Sequence, residues 1–335
     1  MASLAFRSTL AIALLVAACG STGEEPADPT SAAQAPQAPA SSAAPPRNED
    51  GLYEVVWDED IVYYDDGQEQ LEMDVLHPDG GGPWPLVVVY HGRPAGPSIS
   101  EARQIAARGA VAVAPRWASE WNDVAVEDYI DGRLFDRAAC AVGKAQQIAG
   151  DFGADPSNTT VSGFSAGVHP AGWVGLGVMR EDLCSTPLAY QPVGLVLGDS
   201  QFMFFEDLWD ASFTDAGSNA ADTTDRFINP ERWDVPDDLT VYLWTSDRRY
   251  GRDIEDPPAA DSWLTTRDTT GSLTADLAAL DAFDDERIGW SDDSRLMESR
   301  MQAAGIDVTY EAVGGGHNCG ETVYDAIEMI TTGGT

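Results

Sequence analysis

The sequence predicts an α/β domain, a mostly parallel central sheet with helices on both faces. Three observations carry that expectation. Apolar runs without alternation, such as Leu86-Val87-Val88-Val89-Tyr90, read as strands buried on both faces, as helix-covered parallel sheets require. Helical stretches separate most of these runs along the chain, the order that builds parallel sheets. The chain has 335 residues, 43% of them apolar, enough to form a sizeable core.

Taken in order, Val55 to Tyr64 and Gln70 to His77 read as two early strands joined at Asp65-Asp66-Gly67, a hairpin-type turn signal. Leu86 to Tyr90 is the first fully apolar strand. Glu101 to Arg108 is a helix stopped at Gly109, and Ala110 to Ala114 is a second apolar strand. Asp136 to Phe152 reads as a helix, with Asp155-Pro156 ending the connection after it. Thr159 to Ser162 is a short strand running into a Gly-rich turn and a further helix. Val193 to Leu197, Leu239 to Thr245 and Asp307 to Val313 are further strands; Ser294 to Ala304 and Glu321 to Ile330 are helices. Two long excursions, 199–235 and 248–293, interrupt the alternation and read as lid-like insertions. The first carries Phe202, Phe204, Phe205, Trp209, Phe213, Phe227 and Trp233, rings that either pack over something apolar or patch the sheet edge.

The amino-terminal residues read as an address. Arg7 precedes an apolar run from Leu10 to Ala18 that is too short to span a bilayer, the layout of a signal peptide over residues 1–18. Leu15-Val16-Ala17-Ala18-Cys19-Gly20 resembles a bacterial lipobox, which implies lipidation of Cys19 and attachment to a membrane by the lipid anchor only. An ordinary signal cut near Ala18 would give a secreted protein instead. Residues 19–50 are rich in Ala, Pro and Ser and read as a disordered linker, so the folded domain is expected at 51–335. The expected location is the cell envelope, facing the periplasm or the exterior, or the medium.

Fifty-six acidic against 19 basic side chains give a net charge of −37. A nucleic-acid binder needs Lys and Arg against phosphate, so that class is excluded as a partner. Asp outnumbers Glu by 37 to 19, and Lys144 is the single lysine. The excess reads as a strongly solvated surface.

Chemistry enters at Gly163-Phe164-Ser165-Ala166-Gly167, between a strand and a helix. In that context the pattern marks a sharp, strained turn that lifts a serine out of the sheet edge as a nucleophile. A serine hydroxyl needs a base to take its proton, and only four histidines are available. His77 precedes Pro78 in an early strand. His91 directly follows the Leu86 to Tyr90 strand. His169 lies four residues after Ser165 on the following helix, pointing away from the turn or into packing. His317 lies in Gly314-Gly315-Gly316-His317-Asn318, between the last strand and the last helix, and is the expected base. A carboxylate must hold that imidazole in one tautomer. Asp247 just past Leu239 to Thr245 fits by position, with Asp253, Asp256 and Asp199 as alternatives. The oxyanion of acyl transfer needs preorganised N–H donors. Ala166 supplies one, and Gly92 or Arg93 the other, since Pro94 has no N–H.

With these residues in view, the chain from about Tyr53 onward resembles the α/β-hydrolase superfamily, in particular bacterial carboxylesterase-like members. Gln70-Leu71-Glu72-Met73-Asp74-Val75-Leu76-His77-Pro78, Val111-Ala112-Val113-Ala114-Pro115-Arg116, Asp136-Arg137-Ala138-Ala139 and the serine turn occur in that family's order. The resemblance implies a Ser165, Asp247, His317 triad with no cofactor and no metal. The segment from Arg248 to Ser294 is longer than the family's usual link from acid to final helices, and three motif positions also depart from it. His91-Gly92-Arg93-Pro94 replaces the His-Gly-Gly-Gly of many relatives, Val168 stands where a second Gly is common, and Pro170 falls early in the helix, where it is expected to loosen or kink the first turns. The expected function is hydrolysis of small, neutral carboxylic esters. A peptidase or thioesterase using the same triad, and a non-catalytic surface binding protein on the same fold, are the alternatives. Of the other cysteines, Cys140 and Cys184 flank the serine strand and are an expected disulfide in an oxidising compartment. Cys319 reads as a small buried residue.

Overall fold

The computed structural model describes residues 45–92, 97–117, 132–180, 183–200, 226–227, 229–246, 290–313 and 320–332, with backbone alone at 290–293 and 320–322. Cys19, Arg93, Asp247, Asp253, Asp256, His317 and Cys319 lie outside these residues, as do most of both long insertions.

Among the described residues eight strands form one sheet: β1 (Val55–Asp65), β2 (Gln70–Pro78), β3 (Trp84–Tyr90), β4 (Val111–Pro115), β5 (Ala154–Phe164), β6 (Gly194–Gly198), β7 (Thr240–Ser246) and β8 (Asp307–Val313). Their spatial order is β1-β2-β4-β3-β5-β6-β7-β8. The β1–β2 hairpin and the β2–β4 pair are antiparallel; every pairing from β4 to β8 is parallel. Among the described residues five α-helices accompany the sheet: α1 (Ile99–Arg108), α2 (Arg133–Ile148), α3 (Val168–Gly175), α4 (Trp290–Ala303) and α5 (Gly320–Thr332).

The two-residue period of a strand sorts the core into two layers. On one face Leu86, Val88 and Tyr90 join Val161, Leu195, Leu197, Val241 and Leu243 beneath α2, α3 and α4. On the other, Val87 and Val89 join Ala112, Ala114, Val196, Tyr242 and Trp244 beneath α1 and α5. Helices cover both faces, as the unbroken apolar runs require. No helix among the described residues is long and apolar enough to cross a membrane.

Three local expectations are corrected. β5 begins at Ala154, earlier than the short Thr159 to Ser162 strand, and runs through Asp155-Pro156. It can do so because the register against β3 shifts there, from Pro85↔Asp155 to Leu86↔Thr159, and the Asp155 carboxylate accepts from the Ser157 N–H at 2.9 Å. That irregularity spares Pro156 from donating to the ladder. Residues 45–50, assigned to the linker by composition, belong to the folded unit. Arg47 pairs with Tyr53 through its backbone and lays its guanidinium over the ring, 4.6 Å from the centroid, while the Asn48 side chain accepts from the N–H groups of Asp50 and Leu52. Pro170 does not interrupt α3. The helix starts at Val168, so Pro170 falls in its first turn, where a missing N–H costs little.

The far end of the first insertion is core. Phe227 is fully buried, 5.8 Å from the His169 ring centroid and 6.5 Å from that of Trp173. Trp233 donates its indole N–H to Phe227 O at 3.2 Å. The remaining rings of that insertion fall outside the described residues.

Candidate active site

Parallel strands deliver their successors to one edge of the sheet. Tyr90 pairs with Gly163, Phe164 with Gly198, Gly198 with Trp244 and Ser246 with Val313, so β3, β5, β6, β7 and β8 end together. The residues that follow them in sequence are His91-Gly92, Ser165, Asp199, Asp247 and residues 314–319, which include His317.

Ser165 is partly exposed and leaves β5 with φ +53°, a left-handed conformation that an L-residue with a side chain rarely takes. A three-residue turn, Ser165–Gly167, then passes directly into α3. The reversal is tight enough to demand both flanking glycines. A Cβ at Gly163 would stand 2.2 Å from the Gly167 carbonyl oxygen, and one at Gly167 would stand 2.2 Å from the Tyr90 carbonyl oxygen. The serine is therefore held in strain by packing on both sides, the arrangement in which strain persists at functional sites.

The loop after β3 closes on the same point. A Cβ at Gly92 would lie 2.8 Å from Ser165 Cβ and 3.1 Å from the Phe164 carbonyl oxygen, so the Gly92 backbone is in contact with the serine. His91 secures that loop. Its ring N–H at Nδ1 donates to Gly92 O at 2.8 Å, and its own carbonyl accepts the Trp117 indole N–H at 3.1 Å. Burial holds the His91 imidazole below its usual range, partly opposed by the bond to Gly92. His91 is thus a neutral, buried strut.

The other described histidines are also engaged away from Ser165. His169 is buried between Phe135 and Phe227, with ring centroids 5.8 Å away on each side, and donates from Nδ1 to Ala166 O at 3.2 Å. His77 meets Asp58 at 3.2 Å on β1. Among the described residues, no three His, Cys, Asp or Glu side chains converge as a metal site.

Behind the serine, α3 is pinned to α2. The fully buried Asp136 carboxylate accepts from the Trp173 indole N–H at 2.8 Å, from the Arg180 backbone N–H at 2.7 Å and from the Arg180 guanidinium. Cys140, one turn along α2, is disulfide-bonded to Cys184, with a Cα–Cα separation of 5.2 Å. The next turns continue the attachment. A Cβ at Gly143 would stand 2.3 Å from Thr186 O, and the Gln146 amide bonds Ala189 N–H, Tyr190 N–H, Tyr190 O and Thr159 Oγ1. Sequence reasoning missed Asp136 and Arg180 in this role. An acid set between Phe135 and Ala138 on an otherwise apolar helix face was the available signal.

No protein-family model matches the chain, and no curated protein matches it in sequence. Solved structures do match in shape. An esterase of Pyrobaculum calidifontis superposes with a TM-score of 0.51 at 14% identity, over 84% of this chain and 85% of that one. Thermogutta terrifontis esterase 2, in a form phosphoramylated by tabun, superposes with a TM-score of 0.52 at 17% identity, over 83% of this chain and 95% of that one. This is the α/β-hydrolase fold. In this fold the tight turn after β5 is a strand-to-helix elbow, and the Gly92 backbone after β3 lies against it.

Proposed function

We propose that the protein is a serine hydrolase that cleaves small, neutral carboxylic esters through an acyl-enzyme. The observation that carries this reading is the left-handed Ser165 at the elbow with the Gly92 backbone against it. Ser165 Oγ attacks the ester carbonyl while His317 takes its proton, and Asp247 orients His317 and stabilises its positive charge. The Ala166 N–H and an N–H from Gly92 or Arg93 receive the oxyanion. His317 then protonates the leaving alcohol, and a water activated by the same imidazole releases the acid and restores Ser165. The strong acidity of the chain favours neutral over anionic substrates. Cys19 is proposed as the lipid attachment site of an exported, envelope-bound form.

The test is turnover of a short-chain p-nitrophenyl ester, with fluorophosphonate labelling mapped by mass spectrometry. Wild type is expected to turn over and to be labelled at Ser165, and Ser165→Ala to do neither. Full activity in Ser165→Ala would overturn the reading. For the acid, Asp247→Asn is expected to be the inactive variant, with Asp253→Asn and Asp256→Asn active.

A further inference from the structure

We infer that Asp199 is a positioning residue for the reaction, fixing the end of β7 from which Asp247 departs. The inference rests on the serine-hydrolase reading above and adds a residue to it.

Asp199 directly follows β6. It is fully buried and has φ +47°, and among the described residues the only other non-glycine positions with positive φ are Asp60 and Ser165. Two of these three strained residues therefore leave neighbouring strands at the same edge of the sheet. Asp199 is tied across to β7 at two heights. Its backbone N–H donates to Trp244 O at 2.9 Å, while its Oδ1 accepts both the Ser246 N–H at 2.9 Å and the Ser246 hydroxyl at 2.7 Å. Ser246 is the last residue of β7 and the one before Asp247. A buried carboxylate is tolerated only where hydrogen bonds replace its water. Here those bonds are directed at the backbone from which the triad acid emerges.

The same junction reaches the nucleophile strand. The Trp244 indole fills the space above Gly198, where a Cβ would stand 1.9 Å from its Nε1. It stacks on Phe164 at 6.0 Å between centroids and 8° between planes, and Phe164 precedes Ser165. The ends of β5, β6 and β7 are thus locked together by Phe164, Trp244 and Asp199. Asp199 was one sequence alternative for the triad acid. The bonds it makes to Ser246 assign it to holding the acid's strand end instead.

The experiment measures kcat, KM, the pH profile of kcat/KM and the melting temperature for Asp199→Ala, Asp199→Asn and Ser246→Ala, with Ser165→Ala as the blank. In Asp199→Ala, kcat is expected to fall roughly 10- to 100-fold with KM little changed, since misplacing a reacting group by about 1 Å has that effect. Its acidic limb should move to lower pH, because an imidazolium with a displaced carboxylate is less stabilised. Asp199→Asn keeps the Oδ1 acceptor and should retain most of kcat. Ser246→Ala loses one hydrogen bond and should lose roughly two- to tenfold in kcat.

A variant Asp199→Ala that melts earlier but keeps its kcat and pH profile overturns the inference. So does Asp199→Asn as inactive as Asp199→Ala, which would make Asp199 the triad acid. If Asp199→Ala does not fold, an unchanged kcat in Ser246→Ala overturns it. Failure of the serine-hydrolase reading shows separately, as activity in the blank.

Discussion

At the Ser165 edge the backbone is crowded: a left-handed serine, two glycines whose missing side chains would collide with carbonyl oxygens, and a third glycine pressed on the serine itself. Along α2 the backbone is regular helix, and its buried carboxylate and amide are matched by several partners. Asp136 accepts from an indole, a backbone N–H and a guanidinium, and Gln146 bonds two donors and two acceptors. The difference shows how the molecule divides its work. Strain is concentrated at Ser165, the residue proposed as nucleophile, and it persists because the packing around it leaves few alternatives. The edge is therefore expected to be sensitive in rate, and the layer behind it in stability.

Four measurements sharpen or break that contrast. The largest effect is expected for Ser165→Ala, a fall in kcat of about 10⁶-fold with an unchanged melting temperature. A large loss of stability in this variant would mean that the elbow serine is also a structural element. Asp136→Ala should act the opposite way. It strands the Trp173 N–H and the Arg180 guanidinium and should cost about 3 kcal/mol in chemical denaturation, with little change in kcat per folded molecule. Gly92→Ala places a methyl group against Ser165 Cβ and should lower kcat about 10²-fold while leaving the denaturation midpoint nearly unchanged. A normal kcat would show that the Gly92 loop yields without cost.

The smallest effect concerns His91, which belongs to the edge but acts through burial. Its folded pKa lies below that of the unfolded chain, so below about pH 6.5 the unfolded state binds more protons. Its contribution to stability is present above that pH and is lost as the pH falls toward its folded pKa. The melting temperature of His91→Leu is therefore expected to fall less steeply than that of wild type between about pH 7.5 and 5.5. Parallel slopes would mean that His91 is not the buried neutral strut described above.

The fold was legible where burial on both faces leaves long apolar runs. β8 was expected and found at Asp307 to Val313, and the boundaries of β6 and β7 moved by one residue. β5 was harder, because Asp155-Pro156 carries the signal of a break and only the pairing with β3 shows a strand passing through an irregular register. The elbow was legible from its motif and its place between strand and helix, though neither the crowding at Gly92 nor the left-handed serine can be read from residue types. Asp199 and Asp136 were obscured for a different reason. In a chain with 37 aspartates, composition cannot separate a buried carboxylate from a solvated one. What distinguishes these two is partners distant in sequence: Ser246 lies 47 residues from Asp199, and Arg180 lies 44 from Asp136.

The Pro45 ring occupies the space beside Trp84 that a side chain at Gly81 would need. Trp84 opens β3, and Tyr90, level with the elbow, closes it. Six residue steps of strand, about 20 Å, therefore separate the Pro45 end of β3 from the level of Ser165. A tether fixed near Pro45 would hold the domain at the end of β3 remote from Ser165. Immobilising the protein through this end is therefore expected to leave the Ser165 edge turned away from the support, and the proposed ester hydrolysis unhindered.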